Sequence, residues 1–182
     1  IPTLVLLIIN NLDTAVRTRK DLKALTIPFI GELPLSYKRH TGLLSFLNKR
    51  NDVRRIVVKE QSRNEINEAF RVVRTNLEFI SGKAGRTKTI MFTSANAGSG
   101  KTFITMNLAT SFAIKGKRVL IVDLDMRKAS LSTFVDSPKV GISDYLNERV
   151  DNIDAILVKE KTHVNLDIIP VGTIPPNPTE LL

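Results

Sequence analysis

The stretch TSANAGSGKTF, from Thr93 to Phe103, decides the fold of this chain. From Ala95 to Thr102 it matches the phosphate-loop pattern G-x-x-x-x-G-K-[ST], with Ala95 in the place of the first glycine. Small residues suit such a loop because consecutive backbone N–H groups must turn inward around a phosphate. The pattern therefore predicts a phosphate-binding loop, and the alternative is a flexible turn that happens to contain a lysine.

The segments around the loop predict an α/β fold. TIMFTS, before the loop, has the length and composition of a strand, and apolar residues then repeat at helical spacing until Gly116. VLIVD reads as a second strand, apolar on both faces, and LDIIPVG as a third. A strand, a helix and a strand in succession form a βαβ unit. We expect a P-loop NTPase-type parallel sheet flanked by helices.

The helix start, the lysine and the threonine of the motif have distinct tasks in the predicted site. The helix after the loop presents free N–H groups and its positive end to the phosphates. Lys101 neutralises the charge of the β- and γ-phosphates, and the Thr102 hydroxyl can ligate Mg²⁺. The predicted nucleotide-binding residues are Ala97, Gly98, Ser99, Gly100, Lys101, Thr102 and Phe103.

Two carboxylates follow the second strand, in VLIVDLDMR. Asp123 and Asp125 are separated by one residue and stand at the carboxyl end of a strand, where open α/β sheets bind ligands. One could position Mg²⁺ through water, and the other could accept a proton from an attacking hydroxyl. We predict Lys101, Asp123 and Asp125 as catalytic, and Thr102, Asp123 and Asp125 as the metal site. The alternative is a pair of N-cap or turn aspartates.

A helix is predicted before the loop. It should begin near Ser62, because Ser62 and Glu65 form a capping box and apolar residues then recur at helical spacing. Its other face carries Glu68, Arg71 and Arg74, which are close enough in sequence to pair along the surface.

The first sixty residues are basic. They hold eleven Lys/Arg and five Asp/Glu, so six of the nine net positive charges of the chain lie there. Such an excess suits a phospholipid surface, a nucleic acid or a solvated tail. The opening IPTLVLLII is shorter than the roughly 20 apolar residues that cross a bilayer. With RTRK after it, it looks like a transmembrane helix emerging on its cytoplasmic side, and the alternative is a buried strand or helix.

The motifs resemble a known family. SANAGSGKT with VLIVDLDMR is similar to the deviant Walker A and Walker A′ pair of the MinD/ParA-like P-loop ATPases. Within that group, NEAFRVVRTNLEF, GISDYL and IIPVGTIPPNPTELL resemble the bacterial tyrosine kinases (BY-kinases) that regulate capsular and exopolysaccharide export. The apolar opening and the basic segment after it resemble the end of the second transmembrane helix and the juxtamembrane segment of a fused, Wzc-like kinase. The divisions expected are an apolar stub or transmembrane end (1–12), a basic juxtamembrane linker (13–60) and the amino-terminal part of a P-loop kinase domain (61–182).

The resemblance implies autophosphorylation on tyrosine, with ATP and Mg²⁺, at the cytoplasmic face of the bacterial inner membrane. It implies a ring-forming homo-oligomer through the 61–80 helix, where Glu68, Arg71 and Arg74 contact neighbouring copies; an ordinary solvated helix face is the alternative. Further implied partners are the polysaccharide export machinery and a phosphotyrosine phosphatase, whereas a nucleic acid is not expected.

Two features of that family are not found in the sequence. No apolar strand ending in aspartate, the Walker B strand, follows the P-P-N-P segment, and Tyr37 and Tyr145 are the only tyrosines. We therefore expect a fold cut before the Walker B strand and a segment that is inactive alone. The rival functions are a MinD/ParA-like ATPase and a nucleotide-responsive assembly module without kinase activity.

Overall fold

A computed structural model describes residues 22, 26–34, 56–82, 88–94, 96–160 and 163–181. The chain divides into two compact units, Ile1–Ile30 and Gly31–Leu182. The predicted stub and most of the predicted linker lie outside the described residues. Within the described part of the chain, none of the helices combines the length and the apolar composition that a membrane crossing requires.

The second unit combines helices on either side of the loop with a small mixed sheet. Among the described residues of this unit, the α-helices are α1 (Glu65–Ile80), α2 (Lys101–Ile114) and α3 (Ile142–Leu146), and the strands are β1 (Val119–Val122), β2 (Val158–Lys159) and β3 (Leu166–Ile169). Single 3-10 turns occur at Ser132–Val135, Ile153–Ile156 and Pro178–Glu180.

The sheet has the order β1-β3-β2. Strands β1 and β3 run parallel, with Val119 opposite Leu166 and Val122 opposite Ile169. Strand β2 pairs with β3 in the antiparallel direction. The predicted parallel sheet is confirmed for VLIVD and LDIIPVG. The two-residue strand β2 was not predicted, because so short a segment shows no periodicity.

The strand predicted for TIMFTS does not form. Residues 88–94 take part in no strand, and Ile90 and Met91 are 45% and 83% exposed. A strand requires a neighbour for its backbone N–H and C=O groups, and among the described segments none pairs with this one. The composition of the segment is therefore suited to a strand, but pairing decides whether a strand exists.

Helix α1 begins later than predicted. Its N-cap is Asn64, whose side chain accepts a hydrogen bond from the backbone N–H of Asn67 at 3.1 Å. The capping box predicted at Ser62 is absent from this helix, because the N–H of Ser62 donates to the carbonyl of Lys59 in the preceding turn. Asparagine is as good an N-cap as serine, so local sequence did not distinguish the two starts.

Helix α2 lies at the centre of the packing. Met106, Ala109 and Ala113 contact the sheet residues Ile121 and Ile168 in one apolar cluster. On another side α2 packs against α1, where the rings of Phe103 and Phe70 lie 6.0 Å apart between centroids. A second cluster, formed by Met126, Ile142, Ile156, Ile169 and Val171, fixes α3 at the carboxyl end of β3. Burial on several sides explains why α2 is apolar around most of its circumference.

Candidate nucleotide-binding site

The packing brings the start of α2 to the carboxyl edge of the sheet. The carbonyl of Ala113, near the end of α2, accepts a hydrogen bond from the Asn165 side chain at 3.4 Å, one residue before β3 begins. The end of α2 therefore lies beside the amino end of β3, and its start lies toward the opposite edge. Asp123 directly follows β1 at that edge. The start of α2 and the end of β1 therefore both lie toward this edge, and a site shared by the loop and the A′ carboxylates stays a prediction.

The backbone of the loop depends on two glycines. Gly98 and Gly100 have φ angles of 83° and 90°, in the left-handed region that glycine adopts without steric cost. A Cβ at either position would meet nothing within 4 Å, so the conformation and not the space requires glycine. The carbonyl of Asn96 accepts hydrogen bonds from the hydroxyls of Ser94 at 2.9 Å and Ser99 at 2.6 Å. These contacts close the loop; Ala95 lies outside the described residues.

The start of α2 is free for an anion. Its N-cap is Gly100, which has no side chain to accept a hydrogen bond, and the first turn contains no acidic residue. The first bond of the helix runs from the N–H of Ile104 to the carbonyl of Gly100 at 2.9 Å, so the N–H groups of the first turn precede the helical ladder. An exposed helix start of this kind favours a phosphate group. Lys101 and Thr102 stand on this turn, half-buried.

The predicted contact residues divide into two groups. Ala97, Gly98 and Ser99 are exposed in the loop, where their backbone is accessible. Phe103 lies on the first turn of α2, but its ring packs against Phe70 of α1. Phe103 can therefore contribute its backbone to a nucleotide site, while its side chain belongs to the core.

Asp123 is held firmly. The residue is 1% exposed. Its Oδ2 accepts hydrogen bonds from the N–H and the hydroxyl of Ser132, both at 2.8 Å, and its Oδ1 accepts one from the N–H of Asp125 at 3.2 Å. Burial raises the pKa of Asp123, and the bonds from Ser132 and Asp125 offset part of that rise. Three donors leave about one of the four lone-pair positions of the carboxylate open, which suits contact with a bound water.

Asp125 is more accessible. It is half-buried, and its Oδ1 accepts a hydrogen bond from the N–H of Lys128 at 3.2 Å, so it also stabilises the turn that follows. Asp125 therefore also acts as a turn aspartate, which was the alternative to a metal-binding role. Among the residues that the structure describes, no group of three or more His, Asp or Glu side chains is arranged to hold a metal ion. The predicted site of Thr102, Asp123 and Asp125 contains only two carboxylates and stays a prediction.

The residues predicted for an oligomer interface, Glu68, Arg71 and Arg74, line one open surface pocket, and the interface itself stays a prediction. Arg71 pairs with Glu68 at 2.5 Å on the exposed side of α1. Arg74 turns inward, where its guanidinium donates to the carbonyl of Ser111 at 2.7 Å and to the Ser111 hydroxyl at 3.1 Å. Arg74 thus fastens α1 to α2 within the chain.

Two buried polar residues were not predicted from the sequence: Ser132, beside Asp123, and Asn107, farther along α2. Ser132, in the 3-10 turn after the A′ motif, bonds to Asp123. Asn107, fully buried on α2, accepts hydrogen bonds from the N–H groups of Val57 and Val58. The only available signal for Asn107 was an amide within an apolar helix, where polar side chains occur mainly with bonding partners. No comparable signal marks Ser132.

Comparison with known proteins agrees with this geometry. Residues 90–175 match the CobQ/CobB/MinD/ParA nucleotide binding domain family. The matched region is just under half of the chain and includes the loop, α2, β1 and β3.

Proteins of similar sequence include bacterial tyrosine-protein kinases. The chain is 37% identical over 130 residues to the tyrosine-protein kinase YwqD of Bacillus subtilis, covering 71% of this chain and 54% of that protein. It is 39% identical over 116 residues to the tyrosine-protein kinase wzc of Salmonella typhi, covering 63% and 16% respectively. The predicted resemblance to the bacterial tyrosine kinases is confirmed. The chain spans about half the length of YwqD and a smaller share of wzc.

Solved structures of similar proteins have the same fold as this chain. The kinase domain of the Escherichia coli tyrosine kinase ETK superposes with a TM-score of 0.73 at 27% identity, covering 92% of this chain and 65% of that chain. The chimerical protein CapA2B2 superposes with a TM-score of 0.69 at 30% identity, covering 90% and 64%. The predicted P-loop fold class is confirmed, and the nucleotide-binding character of the domain supports ATP as its ligand.

Proposed function

We propose that this chain is the nucleotide-binding part of an ATP-dependent protein-tyrosine kinase that autophosphorylates and regulates capsular or exopolysaccharide polymerisation and export. One observation carries the proposal. The loop with Gly98 and Gly100 in the left-handed region leads directly into a helix start with no side-chain cap, and Lys101 is the first residue of that helix. The relatives support the reaction, because YwqD and wzc are both named tyrosine-protein kinases.

The residues present can divide the work of phosphoryl transfer. The N–H groups of the loop and of the first turn of α2 bind phosphate oxygens, and the Lys101 ammonium neutralises their charge. Mg²⁺, when bound, neutralises further charge on the phosphates and fixes their geometry. Thr102 and Asp125 have the oxygen chemistry that Mg²⁺ prefers, while the buried Asp123 fits a contact through water. Asp125 is also the more accessible candidate for accepting the proton of an attacking hydroxyl.

The acceptor tyrosine is expected on a neighbouring copy or elsewhere on the protein. Tyr145 is half-buried beside the second apolar cluster, and Tyr37 lies outside the described residues. For the proposed ring, support comes from the outer side of α1, where Arg71 and the apolar residues Val72, Phe79 and Ile80 are exposed. The export machinery, the phosphatase and the inner-membrane face rest on the resemblance alone.

Changing Lys101→Met in the full-length protein tests the proposal. Loss of the ammonium removes a charge-assisted contact to phosphate worth about 1.5–3 kcal/mol, so affinity for fluorescent ADP should fall by about tenfold to a hundredfold. Phosphotyrosine, blotted after incubation with ATP and Mg²⁺, should disappear as well. Lys115→Met is the matched control, because Lys115 lies at the other end of α2 and pairs with Glu78 on the surface.

The outcomes separate the rival functions. If folded Lys101→Met protein binds ADP as the wild type does, the loop is not the nucleotide site and the proposal is wrong. If the wild type binds nucleotide but never acquires phosphotyrosine, the kinase assignment fails, and the ATPase or the nucleotide-responsive assembly module replaces it.

A further inference from the structure

A buried hydrogen-bond network connects Asp123 to the chain that leaves β3. The Ser132 hydroxyl donates to Oδ2 of Asp123 at 2.8 Å and accepts a hydrogen bond from the N–H of Val171 at 2.8 Å. The N–H of Ser132 donates to the same Oδ2 at 2.8 Å. Ser132 and Asp123 are each at most 2% exposed, and Val171 is fully buried. A hydroxyl can donate once and accept twice, so Ser132 uses both abilities in this one network.

These contacts restrict the Asp123 carboxylate. Oδ2 is held by two donors of one residue, and Oδ1 by the N–H of Asp125. Rotation about the side-chain bonds would break at least one of these bonds in a buried site, where an unsatisfied polar group costs about 1–3 kcal/mol. The position of the carboxylate is thus set by Ser132 and by the backbone of its own turn.

The Val171 end of the network is equally fixed. The N–H groups of Ile142 and Ser143 donate to the carbonyls of Pro170 at 2.8 Å and Val171 at 3.0 Å. A Cβ on Gly141 would lie only 2.3 Å from the carbonyl oxygen of Pro170, so the two segments are in close contact. Because α3 holds residues 170–171 in place, Ser132 ties Asp123 to a rigid support and not to a loose loop.

We propose that Ser132 is a positioning residue for the metal–nucleotide site: it fixes the Asp123 carboxylate in the orientation that acts on Mg²⁺ bound with the nucleotide. This inference rests on the proposed function, because it assumes that the chain binds nucleotide with Mg²⁺. Ser132 touches neither ligand, and it acts through Asp123. Its effect should therefore appear in the contribution that Mg²⁺ makes to nucleotide affinity, and not in the affinity measured without the metal.

The test measures the Kd for fluorescent ADP with and without Mg²⁺, in the full-length protein. The ratio of the two values reports the metal contribution alone. Because Asp123 is expected to contact Mg²⁺ through water, the ratio in Ser132→Ala should fall by about tenfold, the lower end of the losses typical when a hydrogen-bond partner around a metal site is removed. Ser132→Thr keeps the hydroxyl and should restore most of the ratio. Ser130→Ala, in the same loop, is the matched control and should leave the ratio as in the wild type.

A ratio in Ser132→Ala within about twofold of the wild type, together with lowered thermal stability, would show a purely structural serine and overturn the inference. If Ser132→Ala does not fold, Ser132→Cys, with similar volume and a much weaker donor, is measured and interpreted in the same way. If the wild type itself binds no nucleotide, the proposed function fails, and this inference with it. Wild-type binding that depends on Mg²⁺, with an unchanged ratio in the variant, overturns the inference about Ser132 and leaves the proposed function standing.

Discussion

Asn107→Ala should destabilise the protein strongly, although Asn107 lies about two helical turns from Lys101 and outside the phosphate loop. The side chain is fully buried on α2, and its Oδ1 accepts hydrogen bonds from the N–H of Val57 at 2.7 Å and of Val58 at 3.1 Å. These bonds attach the segment that precedes α1 to the helix that carries the phosphate loop. Truncation to alanine leaves both N–H groups without this acceptor.

The magnitude follows from the burial of the two donors. Val58 is buried, so its N–H bears a penalty of about 2 kcal/mol, while the half-buried Val57 can reach water and loses about 1 kcal/mol. Asn107 also donates to the carbonyl of Phe103 at 2.9 Å, but that carbonyl lies four residues earlier in the helix and keeps its backbone bond. Alanine returns about 0.6 kcal/mol through its higher helix propensity. We expect a net loss of about 2–3 kcal/mol in the free energy of unfolding.

The assay is urea denaturation followed by circular dichroism, with hydrogen exchange of the Val57 and Val58 amides as a local measurement. The matched control is Asn147→Ala, an exposed asparagine at the end of α3, which should change the stability by less than about 0.5 kcal/mol. Both amides should exchange faster in Asn107→Ala than the global loss of stability explains. A loss below about 1 kcal/mol, with unchanged protection of both amides, would refute the reasoning.

Three further substitutions test charged side chains. Burial alone would raise the pKa of Asp144, but hydrogen bonds from Thr173 and Gly141 and the nearby Arg149 hold it below the ordinary value. The stability gained from the carboxylate is thus present above about pH 4 and is lost as the pH falls through the lower, folded-state pKa. Asp144→Asn should therefore be less stable than the wild type at pH 7, and the difference in unfolding free energy should narrow in acid. A difference that does not change with pH in urea titrations contradicts this prediction. Arg74→Met should cost about 1–3 kcal/mol because it breaks the bonds to Ser111, whereas Arg71→Met should cost less than about 0.5 kcal/mol. Arg71→Met should instead reduce the particle size of the full-length protein in sedimentation, and an unaltered size would count against the proposed ring.

Patterns confined to one segment of sequence were predicted best. The loop, α2 with its end just before Gly116, and the strands β1 and β3 follow from glycine placement and from runs of apolar residues. The start of α1 was misplaced because Ser62 and Asn64 are both good N-caps, and only the turn at Lys59 distinguishes them. The strand predicted for TIMFTS failed because a strand needs a paired neighbour, which composition alone does not supply.

The sequence by itself determined the chemistry available: small residues and a lysine at a helix start, two aspartates after a strand, and helix faces with their charges. Only the tertiary structure decided how that chemistry is used. It buried Asp123 under Ser132 while leaving Asp125 more accessible, and it turned Arg74 inward to Ser111 while leaving Arg71 exposed. The physical reason is that burial and hydrogen-bond partners come from residues distant in sequence. Neighbouring aspartates or arginines with the same local pattern can therefore have different roles.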